Sequence, residues 1–185
     1  RNAWWQLSWR APDLSDGTAI IMMLPESYRL SEGYEIWAPA NLIYQRDPDT
    51  LFVMGEVLNK ETLSRIDGQD NIWRNMRSIL VTSDFKNSLV TSLNASGCLH
   101  VYDRNWRGFN MNEEPMVRMI SDQSNIELIH DDAEGKVLSS HIFGHEPEHG
   151  WCYYYQKGEL AVQQGNWKEV VLLGKEAMDN NMSPD

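Results

Sequence analysis

The chain has 185 residues, 42% of them apolar, and carries a formal charge of -11 at pH 7. That length buries one real core, or a core with an appendage, and the acidic balance argues against nucleic acid or an anionic membrane surface as a partner. Eight tryptophans against four phenylalanines is a skewed aromatic set; two cysteines, Cys98 and Cys152, are too few for a disulfide framework and leave a single bridge open.

Trp4, Trp5, Leu7 and Trp9 open the chain beside arginine. Membrane–water interfaces favour that pairing, while the plainer reading is a helix or strand edge covering a core. With Arg1 where a starting Met would stand, a piece of a longer protein is expected. No run reaches the roughly 18 to 20 apolar residues of a spanning helix. The longest, inside Thr18 to Leu24, ends at Pro25 and predicts a central strand covered on both faces. Pro39 predicts the start of a short helix over Ala40 to Tyr44, closed by Asp47-Pro48-Asp49. Leu51 to Val57 follows as a strand and Lys60 to Ile66 as a helix. Ser78 to Ser83, Ser88 to Leu93 and Cys98 to Tyr102 are β-prone runs joined by hairpin-length links, which predicts an antiparallel meander. Trp106 and Phe109 pin the loop that follows, and Glu113-Glu114 before Pro115 opens a helix through Met116, Met119 and Ile120. Asn125 to His130 is a short helix or strand, and Val137 to Phe143 leads into a histidine-rich linker.

The end of the chain carries the clearest pattern. Trp151, Tyr154, Tyr155, Gly158, Ala161 and Val162 share the helical offsets of Trp167, Val170, Val171, Gly174, Ala177 and Met178. Two amphipathic helices therefore fold against each other about Gly165, with Asn166 and Glu169 as a capping box for the second. Gly158 and Gly174 stand at matching places, so close backbone contact between the helices is expected there. Neither helix buries its stripe without a body to pack on.

No catalytic signature stands out. His141, His145 and His149, four apart, would line one helical face as metal ligands do, but Gly144 and Pro147 break that helix and no bound metal is expected. Neither G-x-S-x-G nor a phosphate-cradling glycine loop is present, so no cofactor is expected. The pairs Glu113-Glu114 and Asp131-Asp132 serve acid–base chemistry only if they face a cleft.

The hairpin resembles one tetratricopeptide unit. Tyr154, Gly158, Gly165, Trp167 and Ala177 fall on that repeat's aromatic, glycine, turn, aromatic and alanine positions, while Lys157, Ala161, Val170 and Gly174 depart from its Leu, Tyr, Ala and Phe. A longer resemblance runs through W-x-Q-L-x-W-R-A-P-x-L-x-x-G-T (Trp4 to Thr18), the strand ending Leu24-Pro25, Cys98-Leu99-x-Val101, and F-G-x-E-P-x-x-x-W-C-Y-Y (Phe143 to Tyr154) with the L-A-x-Q-x-G-x-W that follows. These stretches are similar to the soluble C-terminal region of bacterial multi-pass, glycosyltransferase-like membrane proteins. The resemblance implies a membrane helix before Arg1, an extracytoplasmic position, and no catalytic residue in this part.

The expectation is a mixed α/β body over residues 1–145, a mixed sheet with flanking helices and a meander, followed by a helical hairpin over 146–185 packed on it. Its expected function is that of a non-catalytic module whose partner is the membrane-embedded part of the same protein, or a protein or glycan. The alternative is an enzyme acting on glycans, with a carboxylate pair and stacking tryptophans such as Trp37, Trp73 or Trp106.

Overall fold

A computed structural model of the chain describes residues 2–28, 30–46, 52–67, 72–76, 79–83, 85–93, 97–105, 113–131 and 138–183. The first half contains α1 (Asn2–Arg10), β1 (Asp13–Leu14), β2 (Thr18–Met23), α2 (Tyr34–Tyr44), β3 (Val53–Val57), α3 (Lys60–Asp67), β4 (Ile72–Met76) and β5 (Ile79–Ser83). The second half contains β6 (Ser88–Leu93), β7 (Leu99–Val101), α4 (Pro115–Ile120), β8 (Ile129–His130), α5 (Ser140–Phe143), α6 (Trp151–Gln163) and α7 (Trp167–Asp179).

The main sheet has the order β3-β2-β6-β7, with β2 parallel to both β3 and β6, and β7 antiparallel at the far edge. Because side chains alternate along a strand, β2 feeds two cores. Ile20 and Met22 join Leu7, Ile36, Leu89 and Leu160 on one face; Ile21 and Val90 join Leu58, Ile66, Tyr102 and Ile120 on the other. Helices α1, α2 and α6 thus cover one face and α3 and α4 the other, so an all-apolar strand is what the centre requires. Each such side chain, fully buried, contributes about 1.5 to 3 kcal/mol.

Both sheet edges are closed by side-chain amides rather than further strands. On the β3 edge, Asn41 of α2 donates to the Trp37 and Val53 carbonyls (2.7 and 2.6 Å) and accepts from Phe52 N and Val53 N (2.7 and 3.1 Å). On the β7 edge, Gln6 of α1 donates to Gly97 O and accepts from Leu99 N (2.8 and 2.6 Å), while Gln156 of α6 donates to Leu99 O. Backbone groups that would otherwise be exposed or buried unpaired are satisfied this way. A disulfide between Cys98 and Cys152, Cα atoms 5.1 Å apart, links the approach to β7 with the first turn of α6.

Three local expectations need correction. Strand β5 pairs antiparallel with β4 and not with β6, so the meander shrinks to the β6–β7 hairpin. Both flanks of β6 are already taken, by β2 and β7, and buried Phe85 turns the chain between β5 and β6. Helix α2 begins at Tyr34 and runs through Pro39, because Ile36, Ala40 and Tyr44 anchor it in the core on both sides of the proline. Trp5 and Trp9 are buried in the core and Trp4 packs against it, so this cluster is a helix covering the sheet and not a membrane-facing belt. Trp106, Phe109 and the Asp47-Pro48-Asp49 closure lie outside the described residues.

The C-terminal hairpin forms, but the stripe expected to pack α7 does not face the body: Trp167, Val171 and Met178 are exposed, and Leu173 and Ala177 are buried instead. Its turn is a Schellman motif. Gly165 has φ +68°, its N–H donates to Val162 O, and Asn166 N donates to Ala161 O. The Asn166 side chain caps α7 by accepting from Glu169 N (3.2 Å). Leu160 of α6 lies in the same core as Ile20, so this helix is part of the body's packing.

The glycine expectation fails in an informative way. An added Cβ at Gly158 or Gly174 would meet nothing within 4 Å, and what the two helices bury is Leu160, Ala161, Leu173 and Ala177. Close approach through glycine occurs instead at Gly55 of β3, where a Cβ would lie 2.6 Å from both Trp37 N and Ile36 Cγ2 of α2. Gly55→Ala is therefore expected to destabilise by about 1 to 3 kcal/mol through overpacking. In contrast, Gly158→Ala is expected to stabilise by about 0.4 to 1 kcal/mol, since it only removes helix-disfavouring backbone freedom. Urea unfolding of the two variants reads both signs; equal shifts would show that α2 does not rest on β3 at that point.

Candidate functional site

Where α1, β7 and α6 meet, they leave a cleft of about 660 Å³. Arg10 closes α1, His100 comes from β7, Tyr102 and Asp103 from just beyond it, and Tyr155 and Glu159 from successive turns of α6; Asn105, Glu127 and Gln163 complete the polar lining. The disulfide and the Gln156–Leu99 bond hold α6 against β7, so both walls are tied next to the cleft.

Arg10 is 3% exposed. Among the described residues its only side-chain hydrogen bond runs from Nη1 to Gln163 Oε1 (2.8 Å), and Nε is buried without a partner. Gln163 is oriented in turn by donating to Ile126 O (2.6 Å). No carboxylate among the described residues reaches ion-pair distance of the guanidinium. Burial lowers its pKa to about 10, against the opposing pull of Glu159, Tyr155 and Asp103, so it remains charged at neutral pH.

The aromatic lining consists of Tyr102, Tyr155 and His100. The rings of His100 and Tyr102 lie 4.5 Å apart, those of His100 and Tyr155 6.2 Å, and His100 Nδ1 bonds Glu113 Oε1 at 3.2 Å. Tyr102 OH also bonds Ser92 Oγ (2.7 Å). Burial raises the pKa of both phenols, with Glu159 adding to the effect at Tyr155, so both stay protonated hydrogen-bond donors. Asp103 Oδ1 already accepts from Asn105 N and Nδ2 (2.9 and 3.0 Å). The buried cation, the Tyr155 phenol and the Glu127 and Glu159 carboxylates together suit binding of a small polar molecule.

Residues singled out by sequence fall mostly elsewhere. His141, His145 and His149 are exposed, and Gly144 (φ +79°) ends α5 between the first two. His149 stacks on Tyr153 at 3.6 Å and bonds Glu146 (3.1 Å), which also accepts from Trp9 Nε1 (2.9 Å). Among the described residues, no three His, Cys, Asp or Glu side chains converge as a metal site. Trp151 is half-buried, Tyr154 OH accepts from Asn180 Nδ2 (3.1 Å), and Trp167 is 63% exposed. Trp37 sits on α2 away from the cleft lining; the Trp73 side chain and Trp106 lie outside the described residues. Of the carboxylate pairs, Glu113 serves His100, Glu114 precedes α4, Asp131 is exposed, and Asp132 lies outside the described residues.

Arg10 and Glu159 are the site residues that sequence reasoning missed. They stand 149 positions apart by their numbers, and no local pattern joins them. No family model, curated protein or solved structure matches this chain.

Proposed function

We propose that the chain is a non-catalytic, extracytoplasmic domain that docks, through α7, on the membrane-embedded part of the same bacterial protein. The observation that carries this reading is an apolar line left open on α7. Trp167, Val171 and Met178 are 63%, 57% and 76% exposed at offsets i, i+4 and i+11, beside the buried line of Leu173 and Ala177. The Cys98–Cys152 bridge supports an oxidising compartment. The likeness to C-terminal regions of glycosyltransferase-like membrane proteins supports the choice of partner.

A photoreactive residue at Val171 of the full-length protein, activated in intact cells, is expected to crosslink to the membrane-embedded part; one at exposed Glu176, on a polar side of α7, is not. Equal labelling from both positions, or none from Val171, would contradict the docking role.

The enzyme reading is favoured by one observation, the gathering of Asp103, Glu127 and Glu159 with Tyr102 and Tyr155 in a single cleft. Hydrolysis of a glycan that is abolished by Glu159→Gln would replace the first reading with this one.

A further inference from the structure

We propose that the cleft between α1, β7 and α6 binds a small zwitterion, a free amino acid or short peptide, with its carboxylate on Arg10 and its ammonium on Glu159 and Asp103. The inference stands apart from the docking role of α7.

The guanidinium has one edge committed and one free. With Nη1 on Gln163, the Nε–Nη2 edge makes no hydrogen bond among the described residues, and Nε is buried without a partner. Nε is closed to solvent, so on that edge Nη2 is the donor that a carboxylate in the cleft meets, with a charge-assisted hydrogen bond. A buried charge left without such a partner is costly, and a bound anion supplies what the protein does not.

An anion alone does not fit the rest of the lining. Asp103, Glu127 and Glu159 outnumber Arg10, and none of them is drawn into an ion pair with it. A simple carboxylate or phosphate would meet three like charges, and a simple cation would meet Arg10. A ligand carrying both signs satisfies both ends, and the volume of about 660 Å³ leaves room for the side chains of a short peptide beside Tyr102 and Tyr155.

The test uses L-alanyl-L-alanine as the probe, titrated into the isotope-labelled chain and followed by amide and Arg10 Nε–H chemical shifts. Saturable shifts at Arg10, Asp103, Tyr155 and Glu159 are expected. Acetylating the probe's amine or amidating its carboxylate should each weaken binding at least tenfold. Arg10→Met should abolish binding, and Glu159→Gln, at a half-exposed position, should weaken it while leaving the spectrum folded. If the dipeptide fails to saturate, if the blocked analogues bind as well, or if a neutral disaccharide binds the same residues more tightly, the proposal is overturned. If Arg10→Met does not fold, Glu159→Gln with the acetylated probe decides, because unchanged dipeptide affinity in that variant also overturns it.

Discussion

Replacing Cys98 and Cys152 together by Ala is expected to destabilise the chain by about 4 kcal/mol, from the loop-closure entropy of a bridge spanning 54 positions. Against the roughly 5 to 15 kcal/mol that holds a typical domain together, this is a large loss. The same change unties α6 from the sheet edge, since the bridge lies beside the Gln156–Leu99 bond and the Gln6 contacts to β7. Urea unfolding of the double variant, compared with the oxidised parent, measures it. A loss under about 1 kcal/mol would mean that the unfolded chain gains little freedom from the cut and that α6 holds its place by packing alone.

The second large effect is expected at Asn41. Asn41→Leu keeps the branched four-atom side chain but removes two donor and two acceptor contacts, leaving Phe52 N and Val53 N buried without their partner. A buried unsatisfied backbone group costs about 1 to 3 kcal/mol, so a total near 3 to 5 kcal/mol is expected. Asn41→Asp is expected to destabilise as well, because it keeps the acceptor for Phe52 N and Val53 N but sets a carboxylate oxygen against the Trp37 and Val53 carbonyls. If Leu costs under about 1 kcal/mol, the edge of β3 does not depend on that amide.

The elements legible in the sequence were those whose signal is local. The unbroken apolar run around Ile20 and Ile21 marked a strand buried on both faces, and it is the second strand of the main sheet. The repeated offsets after Trp151 marked two helices, and Gly165 marked the turn between them. What failed needed the third dimension. Gly158 and Gly174 mirror each other in sequence yet face open space, whereas Gly55, a glycine inside a strand pattern, carries the sequence signal for close backbone approach. The meander failed because β6 had both edges committed, which no run of β-prone residues reveals.

The cleft was illegible for a related reason. Arg10 reads locally as the basic end of an aromatic segment, and only burial beneath α6 makes its charge conspicuous. Glu159 reads as a solvated helix residue until the fold sets it in one cleft lining with His100 and Asp103. The aromatics at the cleft are tyrosines and a histidine, so the tryptophan-rich composition pointed away from it. The pairing of Cys98 with Cys152 was open in the sequence, and the fold brings the two together by packing the first turn of α6 on the start of β7.

The proposed extracytoplasmic placement is tested most directly by the redox state of that pair in the native host. Cells are quenched in acid, free thiols are alkylated, and the Cys98 and Cys152 peptides are read by mass spectrometry. A Cys98–Cys152 linked peptide with no alkylated thiol at either position is expected. Recovery of both cysteines alkylated, in cells whose known secreted disulfides remain intact, would contradict it.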